Sequence, residues 1–92
     1  MFTVNPKRIN YLTTSRGVAF TAELLKNGKA IGTIENQGNG GWTRSVVDNE
    51  HQKDIDTAAV ELAELANRST VNCNEWYLNH LIDIAENINE FV

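Results

Sequence analysis

Residues 18–36 read Val18-Ala19-Phe20-Thr21-Ala22-Glu23-Leu24-Leu25-Lys26-Asn27-Gly28-Lys29-Ala30-Ile31-Gly32-Thr33-Ile34-Glu35-Asn36. Two alternating runs flank Lys26-Asn27-Gly28. Asn-Gly marks a hairpin because both residues tolerate the left-handed backbone of a tight turn. A two-residue turn at Asn27-Gly28 sets Phe20 against Glu35 and Glu23 against Gly32, mixing charge and apolar groups on both faces. A three-residue loop with Gly28 in a bulge pairs Phe20 with Ile34, Ala22 with Gly32 and Leu24 with Ala30. Val18 then joins the apolar face, and Ala19, Thr21, Glu23, Thr33 and Glu35 form the other. A one-residue slip exposes the whole apolar set, so the pattern predicts the bulged register.

Outward from the hairpin, Gly38-Asn39-Gly40-Gly41 reads as a loop and residues 42–47 as a third strand. Trp42, Arg44 and Val46 fall on one side of it, and Thr43, Ser45 and Val47 on the other. Residues 9–12 suggest a short earlier strand. The six glycines lie between Gly17 and Gly41, and the single proline is Pro6. The second half therefore runs long. Asn49 and Gln52 fit a capping box for a helix starting near Asp48 or Asn49. Ile55, Ala58, Ala59, Leu62, Leu65 and Ala66 recur at helical spacing. Asn72 and Glu75 fit a second capping box. The apolar set that follows, Tyr77, Leu78, Leu81, Ile82, Ile84, Ala85 and Ile88, is too wide for one contact line. It predicts a helix touching both the sheet and the first helix, with a dimer interface as the alternative.

These elements predict one α+β domain over residues 1–92, β-rich in 1–47 and helical in 48–92. Its architecture is an antiparallel sheet of three to four strands followed by two helices packed on one face. The expected core is Val18, Phe20, Ala22, Leu24, Ile34, Ile55, Leu62, Leu81, Ile82 and Ala85.

At 92 residues with 41% hydrophobic and 22% charged content, the chain suits a thin-cored globular domain. No apolar run approaches the ~20 residues of a membrane span. The opening Met1-Phe2-Thr3-Val4-Asn5-Pro6 lacks the basic and apolar segments of a secretory signal. Cys73 is the single cysteine and has no internal disulfide partner. Together these predict a reducing, cytoplasmic setting and no membrane partner. The net charge of −4 conceals a split. Residues 1–47 carry six cations and two carboxylates, and residues 48–92 carry two cations and ten carboxylates. The sheet side is then mildly basic and the helix side strongly acidic, which hints at charged partners or simply at two solvated faces.

Four groups of residues qualify as candidate sites. The loop Gly38, Asn39, Gly40 and Gly41 offers backbone N–H groups to an anion, yet it lacks the Lys-Ser/Thr pair and the strand-to-helix setting of nucleotide loops. Trp42 with Arg44 is a candidate recognition pair, since both types concentrate in binding hot spots. Trp76 projects away from much of the apolar set and is a candidate anchor. Glu61, Glu64 and Asp83 belong to a carboxylate array, with Asp54, Asp56, Glu86 and Glu90, that a basic groove on a partner could recognise. The bland counterparts are a strand connection, core aromatics and ordinary helix-surface charge. His51 among Asp48, Glu50 and Asp54 matches no metal-ligand spacing. Nothing places Cys73, His51, His80 and a carboxylate together as a catalytic set. No cofactor, metal or catalytic residue is therefore assigned.

The stretch Phe20-Thr21-Ala22-Glu23-Leu24, Asn27-Gly28-Lys29-Ala30-Ile31-Gly32 and Glu35-Asn36-Gln37-Gly38-Asn39-Gly40-Gly41 is similar to small proteins encoded by bacteriophages and mobile elements. Those show a strand, a Gly-Lys turn, a second strand and an Asn-x-Gly-x-Gly-Gly loop. The resemblance covers residues 18–42 and brings no catalytic residues. It implies a protein that binds and blocks a host machine, as anti-CRISPR and other anti-defence inhibitors do. The leading expectation is thus a non-enzymatic inhibitor, a monomer or homodimer, whose partner is a host protein or ribonucleoprotein complex. The alternatives are a nucleic-acid or nucleotide binder using the basic sheet side and glycine loop, and a small enzyme without a recognisable motif.

Overall fold

The computed structural model describes residues 1–38 and 41–90. Four strands come first: β1 (Phe2–Thr14), β2 (Gly17–Lys26), β3 (Lys29–Asn36) and β4 (Arg44–Val46). Two helices follow, α1 (Asn49–Leu65) and α2 (Cys73–Glu90). The strands form one antiparallel sheet in the order β1-β2-β3-β4, so each pairs with its sequence neighbour. Among the described residues no helix is long and apolar enough to cross a membrane.

The central hairpin keeps the expected faces but not the expected register. Asn27 and Gly28 both adopt positive φ, 53° and 83°, and close a two-residue turn with Lys26 opposite Lys29. The extra residue sits farther along, where pairing shifts between Leu25↔Ala30 and Leu24↔Gly32. Beyond it Ala22 opposes Ile34 and Phe20 opposes Asn36, not Ile34 as the three-residue loop required. The two registers differ by two residues, and a period-2 pattern cannot separate them. A Cβ on Gly32 would lie 2.2 Å from Val46 O, so the bulge sets a glycine where β4 crosses closest.

β1 is far longer than the four residues its pattern suggested. Phe2 and Val4 are buried, then the register shifts between Val4 and Ile9. This irregularity, spanning Asn5, Pro6, Lys7 and Arg8, switches the helix-facing set from even to odd positions, Ile9 and Tyr11. An edge strand tolerates Pro6 because its missing N–H costs no central ladder bond.

Asp48, not Asn49, caps α1. Its carboxylate accepts the His51 backbone N–H at 2.9 Å, and its Oδ1 lies 2.8 Å from the His51 ring Nδ1. Gln52 is drawn elsewhere, so the anticipated capping box does not form. The helix ends in a Schellman turn: Asn67 takes φ 56°, Arg68 N–H reaches Ala63 O at 2.8 Å and Asn67 N–H reaches Glu64 O at 3.1 Å. Asn72 also takes φ 56° rather than the extended form of an N-cap. Glu75 Oε2 is buried without a hydrogen-bond partner among the described residues, so the second capping box is absent too.

Both helices lie on one face of the sheet. Helix α2 runs over β1 and packs against α1, satisfying two contact lines. Ala22, Leu24 and Ile34 of the sheet meet Ile55, Ala59 and Ala63 of α1 and Tyr77, Leu78, Leu81, Ile82 and Ala85 of α2 in one buried cluster, with Phe2, Val4 and Cys73. Each large aliphatic side chain fully withdrawn from water contributes about 1.5–3 kcal/mol. Phe20 and Leu62 pack against this cluster half-buried. Val18, expected in the core, is 51% exposed. It pairs with Thr13 beside the β1–β2 turn and stands apart from the buried cluster. Ile84 and Ile88 remain half-exposed on α2.

Polar bonds fasten the layers. Tyr11 OH donates to Glu86 Oε1 at 2.7 Å, joining β1 to α2. Lys26 Nζ meets Asp54 Oδ2 at 2.8 Å, joining β2 to α1. Ser45 OH donates to Gln52 Oε1, Gln52 Nε2 donates to Asp56 Oδ1, and Asn74 Nδ2 donates to the same Asp56 oxygen. That chain links β4, α1 and the start of α2.

Candidate interaction surfaces

Strand alternation decides what the uncovered sheet face presents. Ala22, Leu24 and Ile34 point to the helices, so their neighbours point away. Asn10, Leu12, Ala19, Thr21, Glu35 and Gln37 line a shallow groove of about 330 Å³ there, with Tyr11, Phe20 and Asn36 between them. A second hollow of about 240 Å³, formed by Glu35, Gln37, Gly41, Trp42 and Arg44, adjoins it through Glu35 and Gln37. A third, at the opposite flank, contains Arg8, Asn10, Thr21, Glu23 and Thr33.

Trp42 and Arg44 line the same hollow. Trp42 is 65% exposed. Arg44 stands opposite Glu35 in the ladder, with its guanidinium 3.6 Å from that carboxylate. Val46 continues the same side and is exposed. Leu12, which the motif reading passed over, is 67% exposed at the far end of the groove. Its only sequence signal was an apolar residue on the solvent parity of β1, and the irregularity at residues 5–8 hid that parity.

The cations do not converge into a basic patch. Lys26 is paired with Asp54, and Arg44 with Glu35. On the uncovered face Arg8 and Arg44 alternate with Glu23 and Glu35. Glu23 accepts from the Asn5 amide at 3.0 Å.

Gly38, where the glycine-rich stretch begins, is tied to its own scaffold. Gly38 N–H donates to Asn36 Oδ1 at 2.8 Å, and Gly38 O accepts from Thr14 OH at 3.2 Å. Gly38 is buried, and a Cβ there would lie 2.5 Å from Ala19 N. The residue is a glycine because the chain crosses β2 closely. Asn36 Nδ2 also donates to Thr43 OH at 3.1 Å. Asn39 and Gly40 lie outside the described residues.

The carboxylate array is divided by its internal contacts. Asp54 is bound by Lys26, which holds its carboxyl below the ordinary range. Asp56 takes the amides of Gln52 and Asn74. Glu86 takes the Tyr11 hydroxyl. Burial and then that bond push the Tyr11 phenol up to about 12. Asp83, exposed on α2, adds a smaller push through its charge. Glu61 and Glu64 are exposed on α1 beside Leu65. The side chain of Glu90 lies outside the description.

Trp76 is half-buried against the core. The Arg68 guanidinium sits 4.7 Å from its ring centroid, and the His80 ring stacks on it at 6.0 Å and 16°. These contacts tie the indole to Arg68 in the α1–α2 turn and to His80 on α2. Cys73 is buried and free. Among the described residues, no three of His, Cys, Asp and Glu come together as metal ligands.

No protein-family model, curated protein or solved structure matches this chain.

Proposed function

We propose that the protein is a stoichiometric protein-binding module, of the kind that phage-type inhibitors of host defence or nucleic-acid machines use. Its docking surface is the uncovered sheet face. The observation that carries this reading is Trp42, 65% exposed beside Arg44, at the rim of a groove that no helix covers. Trp and Arg are among the residue types enriched where interface binding energy concentrates. A protein partner suits the face better than a phosphate backbone. Leu12 and Val46 add apolar contact area, and Glu23 and Glu35 interleave with Arg8 and Arg44 where phosphates would approach.

Affinity capture from bacterial lysate, with and without nuclease, tests the reading. Wild-type protein is expected to retain a host protein after nuclease treatment, and Trp42→Ala and Arg44→Ala are each expected to lose it. The triple reversal Glu61→Lys, Glu64→Lys and Asp83→Lys is expected to keep it. Loss on the reversal alone, together with strong salt sensitivity, transfers the binding surface to the acidic helices. Capture that disappears with nuclease replaces the protein partner by nucleic acid.

A further inference from the structure

We propose that β1 pairs with β1 of a second copy, antiparallel about a two-fold axis through Tyr11, joining two four-stranded sheets into one of eight. The inference shares Leu12 and the end of the groove with the partner surface proposed above, but it is read by mass and not by capture, so either can fail alone.

The sheet has two edges, β1 and β4. β4 spans three residues, a length that offers little to a partner strand. β1 spans thirteen. In an antiparallel edge strand every second residue turns both its N–H and its C=O outward. Proteins blunt such edges with charge, proline or bulges. Here Pro6, Lys7 and Arg8 guard only the irregular segment. The regular part, Ile9-Asn10-Tyr11-Leu12-Thr13-Thr14, carries no charge, proline or glycine, and Tyr11 and Leu12 are 53% and 67% exposed. Among the described residues no other strand lies beyond it.

The segment is complementary to itself. With Tyr11 on an axis normal to the sheet, every opposed pair shares a face. Ile9 meets Thr13, Asn10 meets Leu12, and Arg8 meets Thr14, so no like charges stand opposite. Setting the axis at Leu12 instead brings Arg8 toward Arg16. The groove of each copy reaches the edge at Asn10 and Leu12, so two grooves meet at the axis. Stable interfaces bury roughly 1,200–2,000 Å², and one strand from each copy lies at the small end. The expected dissociation constant is on the order of 10 µM.

Sedimentation equilibrium between about 1 and about 300 µM reads the mass directly. The expected mass rises from 10.3 kDa toward twice that value. Asn10→Lys with Leu12→Lys places two like-charged pairs across the axis and is expected to weaken the dimer roughly tenfold or more. Asn10→Glu with Leu12→Lys places opposite charges there and is expected to keep it. Circular dichroism establishes that both variants fold. Ile84→Ser with Ile88→Ser is expected to leave the mass unchanged. A monomer throughout, a dimer indifferent to the Lys/Lys variant, or one lost equally in the Glu/Lys variant overturns the proposal.

Discussion

The two faces of this sheet are built from the same strands and do different work. On the covered face Ala22, Leu24 and Ile34 are sealed beneath the helices. One residue away along the same strands, Ala19, Thr21 and Glu35 floor an open groove that ends at Trp42 and Arg44. The covered face is apolar at its centre because Ala22, Leu24 and Ile34 have left water there. The open face is mixed because nothing in folding constrains it, so its exposed tryptophan calls for a separate explanation. Stability and binding should therefore be separable by residue parity alone.

The largest effect on stability should come from truncating the covered face. Leu24→Ala or Ile34→Ala is expected to cost about 2–5 kcal/mol in denaturant unfolding, because each leaves a cavity in a fully buried cluster. A cost below about 1 kcal/mol would break the comparison. Gly32→Ala comes next. Its methyl would press on Val46 O, so β4 must shift, at about 1–3 kcal/mol. Because Trp42 and Arg44 flank and open β4, this variant should also weaken partner capture, and it is the one change expected to affect both faces.

Smaller effects follow from the bonds between layers. Tyr11→Phe removes the hydroxyl bound to Glu86 and should cost about 1 kcal/mol. Its folded pKa is raised from 10.0 to about 12, so the bond's contribution is complete below pH 10 and lost as pH rises toward 12. The alkaline limb of a melting-temperature profile should flatten in that variant. Asp48 is held low by the His51 backbone N–H, and Asp54 by Lys26. Their contributions are present above the ordinary 3.8 and fade as pH falls through the depressed folded values. Asp48→Asn with Asp54→Asn should blunt that acid limb by a few degrees in melting temperature.

Much of the covered face was legible in the sequence, because alternation in β2 and β3 and the 3.6-residue stripe of α1 are direct consequences of burial. Where alternation broke, legibility ended. The Val4–Ile9 irregularity switches parity within one strand, so Phe2, Val4 and the length of β1 did not show. The hairpin register moved by two residues, an amount to which a period-2 pattern is blind. Helix caps were misassigned because several Asn and Asp residues compete locally, and a contact to Ser45 of β4 together with a bond to Asp56 one turn along α1 claimed Gln52. At the candidate site, residue type suggested Trp42 and Arg44, and their shared face was readable from spacing. The pairing of Arg44 with Glu35, and the internal bonds that occupy Asp54, Asp56 and Glu86, depend on how the elements pack. The charge split between the halves did not show this.

The most direct test pairs stability with capture in the Trp42→Ala, Arg44→Ala double variant. Its unfolding free energy is expected within about 0.5 kcal/mol of wild type, as for other exposed positions, with the nuclease-resistant host partner lost from quantitative mass spectrometry of the captured material. An equally stable variant that retains the partner in full would contradict this and remove the open sheet face as the binding surface.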